Sequence, residues 1–403
     1  MAFDGITISS IVNELNDTIN GGRLYKISQP EADEIMLTIK TQSGQYRLVL
    51  SANASLPLAY LTDDNKPSPA TAPNFCMLLR KHIGSARILD VKQPGMERVV
   101  EFELEHLNEL GDPCRKRLIM ELMGKHSNII FCDEKGMILD SIKHVSSHMS
   151  SVREVLPGRE YFIPNTRDKE NPLTVSKEEF TQHICKKPVN ISRALYTSLT
   201  GMSPVMAEEI CYRASIDGSD AAQSLDEAAC THLYHTFLRL MEQIRNREFT
   251  PNIVYRGEEP VEYGVFPYQQ FGSEYRSETF DSVSVMLETY YATKRLLTRI
   301  HQKSSDLRRV VQTALERNRK KYNIQKKQLN DTSKKDKFKV YGELINTYGY
   351  GLEEGCRSFK ALNYYTNEEI TIPLDPTLTP AQNSKKYFDK YGKLKRTEAV
   401  SYT

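Results

Sequence analysis

The sequence lacks several features that define common classes of enzymes and secreted proteins. Its 7 cysteines are scattered over 403 residues without a CxxC pair, so neither a zinc finger nor a disulfide framework is predicted. No GxxxxGK motif followed by Ser or Thr occurs, so a nucleotide-hydrolysis loop is not expected. The N-terminus carries acidic residues and lacks the apolar run of a signal peptide. No stretch of the sequence approaches the ~18 consecutive apolar residues of a membrane-spanning helix. We therefore expect a reduced, cytoplasmic protein with no membrane partner.

The chain does have a strongly uneven distribution of charge. Its net charge is only +2, yet 16 Lys and Arg residues stand against 5 Asp and Glu residues between 282 and 340. Such a stripe is typical either of a solvated helix face or of a surface that binds a polyanion, and charge alone does not separate the two. The candidate polyanion-binding cluster within it is Arg317, Arg319, Lys320 and Lys321.

Hydrophobic periodicity predicts an α+β chain. Helical spacing over 6–20 is followed, up to residue 141, by short strand-like runs and one helix over 74–83, which indicates a largely antiparallel sheet in an N-terminal domain over 1–175. Residues 176–250 have helical patterns, and 251–279 predict a β-rich connector that could rejoin the first sheet. Residues 280–403 predict a long antiparallel coiled-coil arm with a tip insertion, in which the returning helix is short, so we expect a truncated arm.

A glycine turn inside the helical segment resembles a helix-hairpin-helix. Its central residues are Gly201, Met202 and Ser203, followed by Pro204 and a second helical run. Backbone N–H groups at the start of that second helix could bind a phosphate. The alternative is simple packing, because acidic residues such as Glu208 and Glu209 occupy the same helix.

A polar segment between two apolar strand-like runs is the most informative motif. It comprises Glu121, Leu122, Met123, Gly124, Lys125, His126 and Asn128. A glycine lets the backbone approach a ligand closely, and Lys, His and Asn side chains offer donors to a phosphate or a base edge. The segment therefore indicates a nucleic-acid surface, although a strand-turn-strand connection alone would also explain it.

Six spaced blocks, in order, resemble the bacterial branch of the NFACT family of ribosome quality-control factors. The blocks are Phe3–Gly5, Tyr25–Pro30, Asn74–His82, Glu121–Asn128, Arg153–Tyr161 and Ile372–Pro376. The resemblance implies an N-terminal domain similar in fold to formamidopyrimidine-DNA glycosylase, then an all-α helix-hairpin-helix domain and the coiled coil. Glycosylase chemistry needs an N-terminal proline amine, whereas this chain begins Met1-Ala2-Phe3, so we expect no enzyme activity, no catalytic residue, no cofactor and no metal.

The resemblance also implies which residues handle tRNA. The family carries an Asp-Arg pair where this chain has Glu97 and Arg98, a departure that affects the role of Glu97 more than that of Arg98. An arginine fork can hold phosphate or a guanine edge, whereas a surface ion pair is the structural alternative. The Asn74–His82 block adds Arg80 and Lys81 as tRNA-binding candidates.

As a member of that family the chain would be a non-catalytic tRNA-binding factor. It would bind stalled large ribosomal subunits that carry peptidyl-tRNA with a nascent chain, and recruit alanine tRNA for mRNA-independent alanine tailing. The basic cluster at 317–321 would then bind the ribosome. The alternatives are a fibronectin-binding surface adhesin and a general RNA-binding protein.

Overall fold

A computed structural model describes residues 3–108, 110–164, 169–353 and 355–401. Its internal contacts divide the chain into two compact units, Met1–Leu297 and Thr298–Thr403. Within the described residues, no helix combines the length and the hydropathy needed to cross a lipid bilayer.

A nine-stranded antiparallel sheet dominates the first unit and confirms the predicted α+β class. The strands lie in the order β4-β3-β2-β1-β5-β6-β7-β8-β9. Their bounds are β1 Arg23–Glu31, β2 Glu34–Lys40, β3 Gln45–Ser51, β4 Leu58–Thr62, β5 Arg87–Lys92, β6 Val99–Leu107, β7 Pro113–Glu121, β8 Asn128–Asp133 and β9 Ile138–Ser141. Helices α1 (Gly5–Ile19) and α2 (Asn74–Ile83) lie where helical spacing was predicted.

Helix α1 forms because its apolar residues recur on one face and its first turn is capped. The Asp4 carboxylate accepts a hydrogen bond from the Thr7 backbone N–H over 2.8 Å, as an N-cap residue does. Ile8, Ile11 and Leu15 are completely buried. Each contributes roughly 1.5–3 kcal/mol through its burial, so this face fixes the helix in the core.

The remaining helices and a second sheet complete the first unit. The helices are α3 Lys177–Phe180, α4 Ile191–Ser198, α5 Pro204–Arg213 and α6 Glu227–Arg245, and the strands are β10 Asn252–Arg256, β11 Glu259–Gly264 and β12 Tyr275–Thr279. One hydrophobic core extends from Phe3 to Tyr291. The predicted segments 1–175, 176–250 and 251–279 therefore belong to a single compact unit.

The β-rich connector does not extend the first sheet. Strand β10 pairs with β11 on one side and with β12 on the other, giving a three-stranded sheet of its own. The suggestion that this segment rejoins the first sheet is wrong, because the backbone groups of its central strand are used within the connector itself.

One disulfide corrects the expectation that no cysteines pair. Cys185, at the end of a π-helical turn after α3, is bonded to Cys230 near the start of α6, with a Cα–Cα distance of 6.3 Å. The two residues are 45 positions apart, so only the packing of these helices brings them together. The pair is invisible to an argument from local spacing.

The second unit contains a helical pair and a hairpin. Helix α7 (Val283–Thr332) contains the boundary between the units and is followed by α8 Lys335–Tyr348, β13 Ser358–Asn363, β14 Glu368–Pro373 and α9 Pro380–Ser401. Helix α9 runs antiparallel to α8, since the Ser384 hydroxyl donates to the Gly342 carbonyl and Lys335 pairs with Glu398. Buried residues Leu344, Ile372 and Tyr387 hold the hairpin against this pair.

The described structure adds little to the coiled-coil prediction for α7. Leu307 and Val311, which keep heptad spacing in the sequence, are 67% and 65% exposed. The side chains of Leu296 and Ile300, which belong to the same predicted seam, lie outside the described residues. The returning helix α9 packs on α8, and the longer coiled coil stays a prediction.

Candidate nucleic-acid interface

Strand pairing brings two of the sequence-predicted groups together. Val99 at the start of β6 lies opposite Glu121 at the end of β7, and the Leu122 backbone N–H donates to the Arg98 carbonyl over 2.9 Å. The arginine and the polar segment therefore lie at the same end of two neighbouring strands. The proximity that we predicted from the strand pattern is confirmed.

The connection between β7 and β8 is a tight turn with an open outer face. Gly124 adopts a φ of +60°, and a Cβ at this position would meet nothing within 4 Å. The turn is held from inside, because the Ser127 hydroxyl accepts a hydrogen bond from the Met123 backbone N–H over 2.8 Å. Lys125 and His126 are exposed beside the glycine. A ligand can approach this backbone closely.

Three of the predicted contact residues are instead part of the framework of the turn. The Glu121 side chain is completely buried and accepts hydrogen bonds from Arg153 over 2.5 and 2.6 Å. Leu122 is 1% exposed. Asn128 accepts from the Lys143 backbone N–H over 3.1 Å and donates to the Lys143 carbonyl over 2.8 Å. These side chains position the turn, and the more accessible residues of the segment are Met123, Gly124, Lys125 and His126.

Arg98 lies between two cavities. The first, which we call the hairpin cavity, has a volume of about 460 Å³ and is lined by Arg98 together with Asp4, Lys169, Ser203, Glu262 and Tyr268. The second, the glycine-loop cavity, has a volume of about 390 Å³ and is lined by Arg98 with Met123, Lys125, His126, Lys143 and Arg153. Both volumes fall within the ~300–1,000 Å³ typical of ligand sites. No hydrogen bond or ion pair to a described residue engages the Arg98 guanidinium.

A strained turn presents the Glu97-Arg98 pair. Gly95 and Met96 have φ values of +50° and +64°, and Met96 is buried although it is not a glycine. A left-handed conformation costs an ordinary residue about 1–2 kcal/mol, so the surrounding packing must impose it. The Gln93 side chain secures the turn by donating to the Gly5 and Glu97 carbonyls over 2.7 and 3.0 Å.

The predicted hairpin forms one wall of the hairpin cavity. Helices α4 and α5 are joined by a turn in which Gly201 has a φ of +70°, and Ser203 caps α5 by accepting from the Met206 N–H over 3.3 Å. Met202 is 7% exposed. Gly201 itself packs against Gly5, so packing accounts for the glycine, while Ser203 and Pro204 face the cavity. Phosphate binding by this turn stays a prediction.

Two half-buried lysines beside Arg98 add positive charge. Lys169 lines the hairpin cavity and donates to the Tyr196 carbonyl over 3.1 Å, and burial lowers the pKa of its amine. Lys143 lines the glycine-loop cavity, donates to the Ser127 carbonyl over 3.2 Å, and has its pKa lowered by burial as well. An ammonium group has three donors, so Lys169 keeps two for an anion entering its cavity, and Lys143, which also donates to the Ala52 carbonyl, keeps one.

Other predicted residues lie elsewhere. Arg80 and Lys81 are exposed on α2, and Arg80 donates to the Ile27 carbonyl over 2.8 Å; the described linings of the two cavities include neither residue. The cluster Arg317, Arg319, Lys320 and Lys321 is fully exposed on α7 in the second unit.

Sequence reasoning missed three residues of the hairpin cavity. Asp4 belongs to the opening block but was not assigned a role, and burial raises the pKa of its carboxyl. Lys169 and Glu262 lie in segments without a motif, about 70 and 165 positions after Arg98 in the sequence. Strand β11 contains a second glutamate, Glu259, so no signal in the sequence singles out Glu262.

Comparison with known proteins shows relatives along the whole chain. The profile of the NFACT N-terminal and middle domains matches residues 4–402. The Rqc2 homolog RqcH of Bacillus subtilis is 34% identical over 403 residues, which cover 99% of this chain and 68% of that protein. The mouse ribosome quality control complex subunit NEMF is 22% identical over 364 residues, covering 85% of this chain and 33% of that protein.

A solved structure shows the same fold. The fibrinogen binding protein from Staphylococcus aureus aligns with a TM-score of 0.61 and 27% identity, over 72% of this chain and 99% of the solved chain. The finer likeness to formamidopyrimidine-DNA glycosylase stays a prediction.

Proposed function

This chain belongs to the NFACT family, and on that basis we propose that it is a tRNA-binding factor of ribosome-associated quality control. It acts in the cytoplasm without catalysing a reaction of its own. The names of its relatives support the quality-control role, since NEMF is a subunit of the ribosome quality control complex. The Glu97-Arg98 pair and the Met123–His126 turn bind the tRNA in this proposal.

The position of Arg98 between the two cavities is the observation that carries tRNA binding. The Arg98 guanidinium makes no hydrogen bond or ion pair with a described residue, so it can hold phosphate or a base edge, and it can also stack on a base. On one side it has Lys125 and His126 of the Gly124 turn, and on the other it has Lys169. Single-stranded RNA loops are recognised by such combinations of cations and close backbone approach.

The finer activity follows from family membership. We propose that the protein binds large ribosomal subunits that carry peptidyl-tRNA and recruits alanine tRNA to them, so that alanine is added to the stalled nascent chain without mRNA. Peptidyl transfer belongs to the ribosome. The exposed basic cluster at 317–321 provides the ribosome contact, as its charge and full exposure allow.

Filter binding of alanine tRNA and of other tRNAs to the wild type and to Arg98→Ala tests this function. We expect Arg98→Ala to abolish selective tRNA binding while changing the free energy of unfolding by no more than about 0.5 kcal/mol, as is usual for surface substitutions. Arg23→Ala, at an exposed arginine of β1 outside both described cavity linings, is the control and should bind normally. Wild-type affinity in a folded Arg98→Ala protein would refute the site.

An adhesin is the second candidate, because the solved relative from Staphylococcus aureus is a fibrinogen binding protein. Cell fractionation separates the two functions. Co-sedimentation of the full-length protein with large ribosomal subunits supports quality control, whereas accessibility to antibody on intact cells supports the adhesin. Selective enrichment of alanine tRNA among co-purifying RNAs would separate the first function from general RNA binding.

A further inference from the structure

Glu262 is a buried carboxyl group that lines the hairpin cavity and forms no ion pair with any described residue. The residue lies on β11, is 4% exposed and lines the hairpin cavity. Its carboxyl accepts one hydrogen bond, from the Tyr263 backbone N–H over 3.1 Å. Among the described residues it forms no ion pair, and the nearby Lys294 contacts Glu259 instead, at 4.0 Å. Burial of a carboxyl group without a partner is unfavourable, so its retention indicates a ligand that supplies a donor.

The second carboxyl group of the cavity is already used. Asp4 caps α1 through the Thr7 N–H and also accepts from the Ser203 side chain. Its oxygens therefore serve the junction between α1 and the hairpin. A carboxylate has about four lone-pair sites, of which Asp4 uses two in these contacts and Glu262 uses one, so Glu262 is the acceptor with more free capacity.

The cavity also carries positive charge and aromatic faces. Arg98 and Lys169 line it, and so does the N-terminus of the ten-residue helix α5 at Ser203 to Val205. Such a combination attracts an anion, because helix N-termini and basic side chains both favour negative charge. Tyr196, Tyr263 and Tyr268 contribute to the same lining. The ligand therefore combines an anion, a flat or apolar body and a hydrogen-bond donor.

We propose that the hairpin cavity holds one nucleotide whose base carries an exocyclic amino group, with the amino group donating to Glu262 and the phosphate held by Arg98 and Lys169. The inference rests on the proposed function in that an RNA is the expected source of the nucleotide. Acidic side chains accept hydrogen bonds from the amino group of cytosine, and aromatic side chains stack unpaired bases. Glu262 is then a specificity residue that disfavours uracil, which presents a carbonyl oxygen where cytosine presents the amino group.

Calorimetric titration of the full chain with CMP and UMP tests this inference, because the two ligands have nearly the same size and charge. We expect CMP to bind at least about tenfold more tightly than UMP, the discrimination typical of one good base contact. Glu262→Gln should reduce the preference to about twofold, because an amide both donates and accepts. Glu258→Gln, at an exposed glutamate of the β10–β11 turn, is the matched control and should keep the full preference.

The nucleotide could be part of an RNA or free in solution. Presenting cytosine and uracil in an RNA hairpin loop distinguishes these two sources. Preference for cytosine in the loop identifies an extruded base of an RNA, whereas preference confined to the monophosphates identifies a free nucleotide. Equal affinity of the wild type for both bases in both formats would overturn the inference, as would a full preference retained by Glu262→Gln. If Glu262→Gln fails to fold, the ratio of the wild-type affinities for the cytosine and uracil ligands tests the inference by itself.

This outcome is separable from that of tRNA binding. A protein that binds tRNA through Arg98 but does not discriminate between the two bases retains its proposed function and loses the nucleotide site. A protein that discriminates between them but does not bind tRNA retains the site and loses the function.

Discussion

The backbone N–H of Gly5 donates to the carbonyl oxygen of Gly201 across 2.8 Å. This contact joins the start of α1 to the hairpin turn, and both glycines also pack against the Met96 carbonyl, one residue before the Glu97-Arg98 pair. Three segments that are distant in sequence are therefore fixed against one another at one edge of the hairpin cavity. The glycines are required because neither position has room for a side chain.

We expect Gly201→Ala to destabilise the first unit severely. The new methyl group would lie 2.9 Å from the Gly5 Cα and closer still to the Met96 oxygen, in a residue whose φ is +70°. The loss in free energy of unfolding should exceed the ~1–2 kcal/mol of left-handed strain alone. Urea unfolding measures it. Gly257→Ala is the control, because Gly257 has a φ of +61° with open space around it; equal losses in both variants would contradict the packing role.

Glu121→Ala should lower stability rather than simply weaken RNA binding. The substitution leaves the Arg153 guanidinium, whose side chain is 9% exposed, without the carboxylate that it contacts. Removing one member of a buried ion pair typically costs about 3–5 kcal/mol. Thermal melts compare the stability of this variant with that of the control Glu134→Ala, whose glutamate is exposed in a turn. A fully stable Glu121→Ala protein that has lost tRNA binding would instead make Glu121 a direct contact.

Glu262 gives the first unit a defined pH dependence. Burial raises the pKa of this carboxyl from an ordinary value of 4.5 to about 7; the Asp4 charge adds to the effect, and the hydrogen bond from the Tyr263 backbone N–H opposes it. The folded state therefore binds a proton that the unfolded chain has released, and the free energy of unfolding falls by about 3 kcal/mol as pH rises from 4.5 to 7. Below this window both states are protonated, so the effect vanishes.

The pH dependence is measured as the difference in unfolding free energy between the wild type and Glu262→Gln. This difference should favour the variant increasingly from pH 5 to about pH 7 and then level off. Parallel curves for the two proteins over that range would show that the carboxyl group is ionised throughout and has a cationic partner in solution.

Neutralising Arg317, Arg319, Lys320 and Lys321 to glutamine should weaken association with large ribosomal subunits. All four side chains are exposed, so the fold of the second unit should survive. Each lost phosphate contact should reduce the slope of log affinity against log salt by about 1. The control variant removes the same number of positive charges from α9, by glutamine substitution of Lys385, Lys386, Lys390 and Lys393. An unchanged slope would mean that the cluster is only a solvated helix face, and an equal change in both variants would assign the effect to general charge.

The secondary structure of the first unit could be predicted because local rules decide it. Ile8, Ile11 and Leu15 recur at helical spacing, and the strands alternate with turn residues, so each element follows from its own residues. The proximity of Arg98 to Leu122 also followed, because consecutive antiparallel strands place their ends together. Gly124 has the positive φ that favours glycine, and its contact with tRNA stays a prediction.

The roles of individual side chains could not be predicted in the same way. The pattern marked Glu121 and Asn128 as contacts, yet both are buried, because a sequence does not show which face of a turn packs inward. The Cys185–Cys230 bond and the separate sheet of 252–279 depend on which elements meet.

The sequence by itself determined the elements of this protein and its family, because helical period, strand alternation and short motifs are local properties of a chain. Tertiary structure alone decided the hairpin cavity, whose walls come from Asp4, Arg98, Lys169, Ser203 and Glu262. These residues span more than half of the chain and share no spacing. They meet because the Gly5–Gly201 contact and one continuous core bring α1, the hairpin and β11 together, and long-range packing of this kind leaves no periodic trace in a sequence.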